Sequence, residues 1–412
     1  MTIREDADYM ISESIKTVLP DEATAKALKG KDFGDGEVRL VAAGKAAWQM
    51  AKAADATMGS RIKSGVVVTK YEHVKGPIAS YSCFEAGHPV PDENSFLATQ
   101  KAIDSVTGLT EKDTVLFLLS GGGSALFEKP LIPGEELQDI TKQLLACGAD
   151  ITEMNTLRKR LSSVKGGKFA KLCEPAKVYC IILSDIIGDP LDMIASGPAY
   201  PDSATAADAE RIVEKYHLKL SEKAKELLKI ETPKELKNVE TVITGSVREL
   251  CRAAEKAAKE RGYETVFLTD HLDCEAREAG AFLGDIALSH QNAGKSLAFI
   301  AGGETIVHLT GHGKGGRNQE LALSAALPLS GCTDTAVFSV GSDGTDGPTD
   351  AAGGYADSET KKTLSENGIS VFQVLKENDA YNALKKTGGL IITGPTGTNV
   401  NDVAVLLIKR QA

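Results

Sequence analysis

The feature that most limits how this chain can fold is a short aliphatic, β-branched run that keeps recurring and keeps ending in glycine or a small polar residue. It appears as VRLVAAG (38–44), GVVVTK (65–70), TVLFLLSGGG (114–123), VYCIILSD (178–185), ETVITGS (240–246), ETVFLTD (264–270), SLAFIAGG (296–303), ETIVHLTG (304–311), TAVFSVGSDG (335–344), GLIITG (389–394) and VAVLLIK (403–409). Most of these runs are continuously apolar, the pattern of strands buried on both faces of a parallel sheet. Helix-length amphipathic segments lie between them, so the expected fold class is α/β, with helices layered on sheet. Ligands of open α/β sheets bind beyond the carboxyl ends of the strands. The Gly, Ser, Thr and Asp residues crowded at those exits therefore mark the expected site.

At 412 residues the chain has room for two or three domains of roughly 100–200 residues. A charged stretch, LKLSEKAKELLKIETPKELKNVE (218–240), separates two sets of runs. It places the expected boundary within 234–240, dividing domain 1–236 from domain 237–412; alternatively the stretch is a surface helix pair within one domain. The net charge of −10 argues against a nucleic-acid or membrane-surface binder, which needs Lys and Arg in excess. Seven cysteines are scattered without a C-x-x-C, which reads as reduced thiols and not as a disulfide frame or zinc site. The N-terminus lacks a signal-peptide core, and no apolar run approaches the ~18 residues that span a bilayer. The expectation is a cytoplasmic protein, monomer or homodimer, acting on small molecules.

LSGGGSAL (119–126) follows the most apolar run. Gly121, Gly122 and Gly123 let backbone amides converge on an anion, with Ser120 and Ser124 as hydroxyl donors; alternatively the stretch is only a tight turn. In VAAGKAAWQMAKA (41–53) Lys45 stands at a helix start, where a cation is disfavoured unless an anion is present. It is a candidate clamp for phosphate or carboxylate, or a lysine on an exposed turn. GHGKGG (311–316) matches G-x-G-x-x-G, follows an apolar run and precedes a helical segment, as a dinucleotide site requires. Whether or not that reading holds, Gly315 and Gly316 followed by Arg317 and Asn318 make a candidate anion pocket, with Arg317 offering a planar donor fork.

SDIIGDPLDMIASGP (184–198) sets Asp185, Asp189 and Asp192 around a turn. Asp189 could accept a proton from a substrate hydroxyl or hold a divalent ion, or simply cap a helix ahead of Pro190. SVGSDGTDGPTDAAGGYAD (339–357) fails the EF-hand spacing. Asp343 and Asp346 suit Mg²⁺ shared with substrate phosphates, since Mg²⁺ uses one or two carboxylates; they equally suit substrate hydroxyls. In GPTGTNVNDVAVLLI (394–408) Asn399, Asn401 and Asp402 could cap or bind. His88 lies in the loop GHPVPDENS. There is no Walker A loop, no His/Cys cluster and no G-x-S-x-G elbow, so P-loop, zinc and serine-hydrolase chemistry are not expected.

Taken in order, GKAAWQMA, GHPVPDENS, LLSGGGSAL, MNTLRKRLSSVKGGKFA, LSDIIGDPLDMIASGP, GGRNQELALS, SDGTDGPTDAAGG and PTGTNVNDV resemble the glycerate 2-kinase family of the MOFRL type across nearly the whole chain. The resemblance implies two α/β domains, the first a Rossmann-like α/β/α sandwich and the second smaller, with a cleft between them. It implies transfer of the ATP γ-phosphoryl group to D-glycerate with Mg²⁺, giving 2-phosphoglycerate. Its active-site lysine and arginine fall on Lys45 and Arg317. Phosphoryl transfer is mostly positioning and charge neutralisation. On that basis Lys45 and Arg317 stabilise the moving group or grip the carboxylate, Asp189 orients or deprotonates the acceptor hydroxyl, and Asp343 or Asp346 holds Mg²⁺. Ser120 to Ser124, Gly315, Gly316, Asn318 and Asn399 bind substrate or phosphate. Arg160 and Lys165 add positive charge there, or sit on a helix surface. Two competing readings are an NAD(P)-dependent hydroxypyruvate reductase and a non-catalytic metabolite-binding protein.

Overall fold

The apolar runs become the strands of two six-stranded sheets in a computed structural model that describes residues 2–410. Each sheet anchors one of two units.

The first unit comprises Ala23–Leu183 and Asp189–Thr244. Its strands are β1 (Val38–Ala43), β2 (Ile62–Lys70), β3 (Tyr81–Ala86), β4 (Thr114–Leu119), β5 (Lys177–Leu183) and β6 (Val239–Gly245), in the order β3-β2-β1-β4-β5-β6. The pairs from β3 through β5 are parallel. All of β4 is buried, and alternate residues serve opposite faces. Leu116 and Leu118 pack with Met50, Val67 and Ile181. Phe117 faces the other way and meets Phe169 and Phe127 at ring-centroid distances of 4.7 and 5.4 Å. That two-sided burial is why the run shows no alternation.

The stretch 218–240 is not a linker. Leu218, Ala224 and Leu228 are buried with Leu137, Ile140 and Leu157 in a helical layer of this unit, and β6 then joins the parallel sheet.

The second unit comprises the residues up to Glu22, Ser184–Gly188 and everything from Gly245 on. Its strands are β7 (Glu264–Leu272), β8 (Leu297–Gly303), β9 (Thr335–Gly341), β10 (Gly353–Asp357), β11 (Leu390–Ile391) and β12 (Asp402–Ile408), in the order β11-β10-β9-β12-β8-β7. This sheet is mixed. β7 and β8 are parallel, whereas β12 runs antiparallel to both β8 and β9. A continuously apolar run reports two covered faces and not strand direction, so β12 reads the same either way. ETIVHLTG forms no strand; Glu304 N–H donates to Leu272 O at the end of β7 (2.8 Å), and Ile306 makes an isolated bridge with Glu275.

The N-terminal helix Ile3–Thr17 carries Ala7, Met10 and Ile11 into the core of this second unit, against Leu250, Ala254, Phe338 and Val405. Its buried Asp6 accepts from Tyr263 Oη at 2.9 Å and Lys409 Nζ at 2.6 Å. A single cut at 236/237 therefore differs from the observed units at both ends. The first helix belongs with the C-terminal sheet, and β6 with the N-terminal one.

Candidate active site

In the first unit, the exits of β1 and β4 are stitched together. Lys45 N–H donates to Gly121 O (2.9 Å), Ser120 N–H to Ala43 O (3.0 Å), and Ala46 N–H to Ser120 Oγ (3.0 Å). The Lys45 carbonyl accepts from Thr69 Oγ1 (3.1 Å) and meets His73 Nδ1 (3.0 Å). The backbone of Lys45 is thus fixed on both sides. Its half-buried ammonium has no carboxylate within ion-pair distance among the described residues. Gly44 is required by this stitching. It sits at φ +127°, and a Cβ there would fall 2.2 Å from Ser120 Oγ and 2.4 Å from Ser120 O. Gly44→Ala should lower stability by about 3 kcal/mol or more through backbone strain and overpacking, seen as a lower urea midpoint.

The turn after β4 passes through Gly122 at φ +85° into the one-turn helix Gly123–Leu126. Lys45 Cγ and the His88 ring both flank Gly122, within 3.2 Å of where its Cβ would be. Ser120 is buried with its hydroxyl turned inward, accepting from Ala46 N–H. Ser124 Oγ pairs with Ser196 Oγ at 3.3 Å, and Ser196 donates to Asn155 Oδ1 at 3.0 Å. Both serines hold the scaffold of the turn.

Arg160 and Lys165 are neither anion ligands at an open site nor surface residues. Arg160 is fully buried and donates to Thr156 O (3.2 Å), Ala204 O (2.8 Å) and Glu231 Oε2 (3.2 Å). Lys165 is fully buried with Nζ donating to Ser124 O (2.8 Å) and Phe127 O (3.1 Å), and Glu128 lies 3.6 Å away. Burial brings its pKa down to about 8 against the pull of Glu128. Their acidic and carbonyl partners come from distant segments, which a run such as RKRLSSVKGGK does not reveal. Asp189, half-buried, adopts φ +51°. The chain beyond it turns at Pro190, whose carbonyl accepts from Met193 and Ile194 N–H (2.8 and 3.1 Å). Asp189 therefore starts a turn and caps no long helix.

In the second unit, Arg317 opens helix Arg317–Leu329. Its fork grips Asp402 twice, Nε to Oδ2 at 2.6 Å and Nη2 to Oδ1 at 3.1 Å, and Nη1 reaches Glu304 Oε1 at 2.6 Å. Burial works against the charge on Arg317, but Asp402 and Glu304 outweigh it and hold its pKa above the ordinary arginine value. Asp343 is half-buried; its Oδ1 accepts from Thr345 N–H at 2.9 Å. A Cβ on Gly341 would lie 3.3 Å from Asp343 Oδ1 and 3.4 Å from Asp402 Oδ1. Glu304, Arg317, Asp343 and Asp402 thus gather where β8 and β9 end and β12 begins.

Asp346 does something else. It is buried, and its oxygens accept the first free amides of the same helix, Asn318 N–H at 3.1 Å and Gln319 N–H at 2.9 Å. Gly316 must lack a side chain because a Cβ would meet Asp346 Cγ at 2.3 Å. Asn318 is buried too, donating to Asp346 and accepting from Ser339 Oγ (2.6 Å). This helix start is filled by a protein carboxylate, so GHGKGG and its glycines form no open phosphate cradle. The expectation that Asp346 faces a metal, and that Gly316 and Asn318 face an anion, is corrected accordingly. Gly315 packs against the backbone of Ala380. Asn399 is exposed, and its Oδ1 accepts from Asn401 N–H at 3.3 Å. Asn401 is buried at φ +65°, a conformation asparagine tolerates. No group of three or more acidic, His or Cys side chains forms a metal cage among the described residues.

In the first unit, glycine turns and a bare lysine at strand exits suit an anion; in the second, an arginine fork and carboxylates crowd the exits of its own sheet. Residues 6–229 match a family model described as "Domain of unknown function (DUF4147)" and residues 297–402 match "MOFRL family". The chain is 52% identical to the D-glycerate 2-kinase of Thermotoga maritima over 99% of both chains. It is similar, at a TM-score of 0.94 and 52% identity, to the crystal structure of a glycerate kinase from Thermotoga maritima, covering 98% of this chain and 99% of that one. It is also 40% identical to an Agrobacterium vitis protein named as a hydroxypyruvate reductase, over 90% of this chain and 87% of that one. The protein is by these likenesses a phosphotransferase with an alcohol acceptor. The chain belongs to the glycerate 2-kinase family of the MOFRL type, as its motifs implied.

Proposed function

We propose that the protein transfers the γ-phosphoryl group of ATP to the 2-hydroxyl of D-glycerate, with Mg²⁺, giving 2-phospho-D-glycerate. The observation that carries this reading is Lys45, a cation fixed at a strand exit without an acidic partner, in a chain 52% identical to a D-glycerate 2-kinase. In the reaction, the hydroxyl oxygen bonds to the γ-phosphorus, the bond from that phosphorus to the β–γ bridging oxygen breaks, and Asp189 takes the hydroxyl proton. Lys45 neutralises charge on the phosphoryl group. Arg317, oriented by Asp402 and Glu304, presents its remaining N–H groups to an oxyanion.

Asp343 fits Mg²⁺, because such an ion takes one or two carboxylates and completes its shell with water and phosphate oxygens. When bound, the ion neutralises phosphate charge. Asp343→Asn should raise the Mg²⁺ concentration for half-maximal rate roughly tenfold or more. Asp346→Asn should leave that concentration in place and lower the denaturation midpoint, since a cap is worth about 1–2 kcal/mol. Burial pushes the Asp346 carboxyl up to about 6, against the pull of the Gln319 and Asn318 amides. Its folded pKa then lies above the unfolded one. This group makes the wild type lose stability as pH climbs from the ordinary aspartate range to about 6, and the asparagine variant lacks that slope.

The test is purified protein with ATP, MgCl₂ and D-glycerate, with the product resolved as the 2- or 3-phosphate by phosphorus NMR. The 2-phosphate is expected; no phosphorylated product overturns the reading. The reductase reading has the literal GHGKGG motif and the Agrobacterium name in its favour. It predicts nicotinamide oxidation without ATP. Against it, the motif follows no strand, and Asp346 already takes the amides a pyrophosphate would use.

A further inference from the structure

His88 is a histidine that the roles above leave unused, and it lies against the Gly122 turn. A Cβ on Gly122 would meet His88 Cδ2 at 3.0 Å, His88 Nε2 at 3.1 Å and Lys45 Cγ at 3.2 Å. The imidazole and the lysine stem therefore flank the same bare stretch of backbone. Every group that acts on the charge of His88 disfavours it: burial first, then Lys45, Lys70 and His73, and together they hold its pKa below the ordinary histidine value. The acids of the neighbourhood are engaged elsewhere. Asp92, in its own loop, accepts from Tyr71 Oη (2.7 Å) and Ser95 N–H. Glu85 accepts from Val74 N–H (2.8 Å). His73 Nδ1 is against the Lys45 carbonyl. His88 makes no hydrogen bond to another described residue. In a chain of net charge −10, two lysines and a second imidazole around an unpartnered imidazole form a place that an anion would complete.

We propose that His88 is a further substrate-binding residue, donating a hydrogen bond from Nε2 to an oxyanion held beside it and Lys45, and gaining a proton from solvent as that anion arrives. The proposal rests on the reading of the Gly122 turn as an end that receives a substrate oxyanion, either the acceptor's carboxylate or a nucleotide phosphate. Its consequence follows from linkage. An anion that raises the proton affinity of His88 binds more tightly at low pH, and its affinity falls as pH climbs through the free and then the bound pKa.

The full chain, labelled with ¹³C in its histidine rings, is titrated by NMR from pH 5 to 9. It is measured alone, with saturating D-glycerate, whose carboxylate does not titrate in that range, and with a non-hydrolysable ATP analogue. His88→Gln identifies the resonance among the seven histidines. The His88 pKa should rise by about one unit or more with one of the two ligands, and which ligand does so names the oxyanion. If D-glycerate is that ligand, its affinity should fall about tenfold from pH 6 to 8.5 in the wild type and stay flat in His88→Gln. A His88 resonance unmoved by both ligands overturns the proposal. Turnover of the same sample is read separately. Phosphorylation of D-glycerate with an unmoved His88 removes this inference and keeps the kinase; a shifted His88 without phosphorylation does the reverse.

Discussion

Lys45→Ala should lower kcat at least about a hundredfold and leave the urea midpoint where it was. The two halves of that result have separate causes. The turn that carries Lys45 is held by backbone bonds to Gly121, Thr69 and His73, and an alanine keeps all of them. The ammonium has no acidic partner among the described residues, so its removal leaves no buried carboxylate exposed to an unbalanced cost. What is lost is one preorganised charge. Removing a single such donor typically costs 10²–10³ in rate, about 3–4 kcal/mol of transition-state stabilisation. Lys45→Arg keeps the charge but replaces a compact ammonium with a larger planar fork, and should fall between the two. Steady-state kinetics beside a denaturation curve decide the matter. A kcat within tenfold of wild type in the alanine variant would take Lys45 out of the chemistry.

The sequence makes this residue legible because its signal is local: a buried strand, a glycine, then a lysine where a helix begins. The same holds for most strands, whose two-sided burial is written into consecutive residues such as those of β4. Strand direction is not written there, which is how β12 passes for a parallel strand. Asp343 and Asp346 look alike in sequence, each followed by glycine or close to it. Only the fold separates them, by bringing helix Arg317–Leu329 down onto Asp346. One signal did exist. Glycine at the cap position of that helix offers no side-chain acceptor, so its first amides needed a carboxylate or ligand from elsewhere. Arg160 and Lys165 were illegible because the groups that make their burial tolerable, Glu231, Ala204 and Glu128 among them, are contributed by other segments. Asp6 shows the same limit over a longer span, since its partners Tyr263 and Lys409 stand 257 and 403 positions further along the chain.

Arg317→Ala should damage both turnover and stability, and the second effect has to be removed before the first can be read. Asp402 has both oxygens on the arginine fork, and its side chain is 9% exposed. Burial pushes the Asp402 carboxyl up and Arg317 pulls it down. Deleting the arginine leaves the push alone, and a buried carboxylate stripped of its partner costs about 3 kcal/mol or more. The sign with pH follows. In the variant the folded pKa of Asp402 stands further above the unfolded one, so the folded form holds a proton the unfolded chain releases. Stability then falls as pH climbs through that window, and the variant is closest to wild type in acid and furthest from it in alkali. Arg317→Ala with Asp402→Asn removes the stranded charge and should regain most of the lost stability at pH 8. Turnover should remain at least about a hundredfold down, because asparagine supplies no cation. If the double variant recovers its rate along with its stability, Arg317 serves the fold and not the phosphoryl group. If the single variant unfolds at the wild-type urea concentration across the whole pH range, the pair with Asp402 does not carry the energy assigned to it.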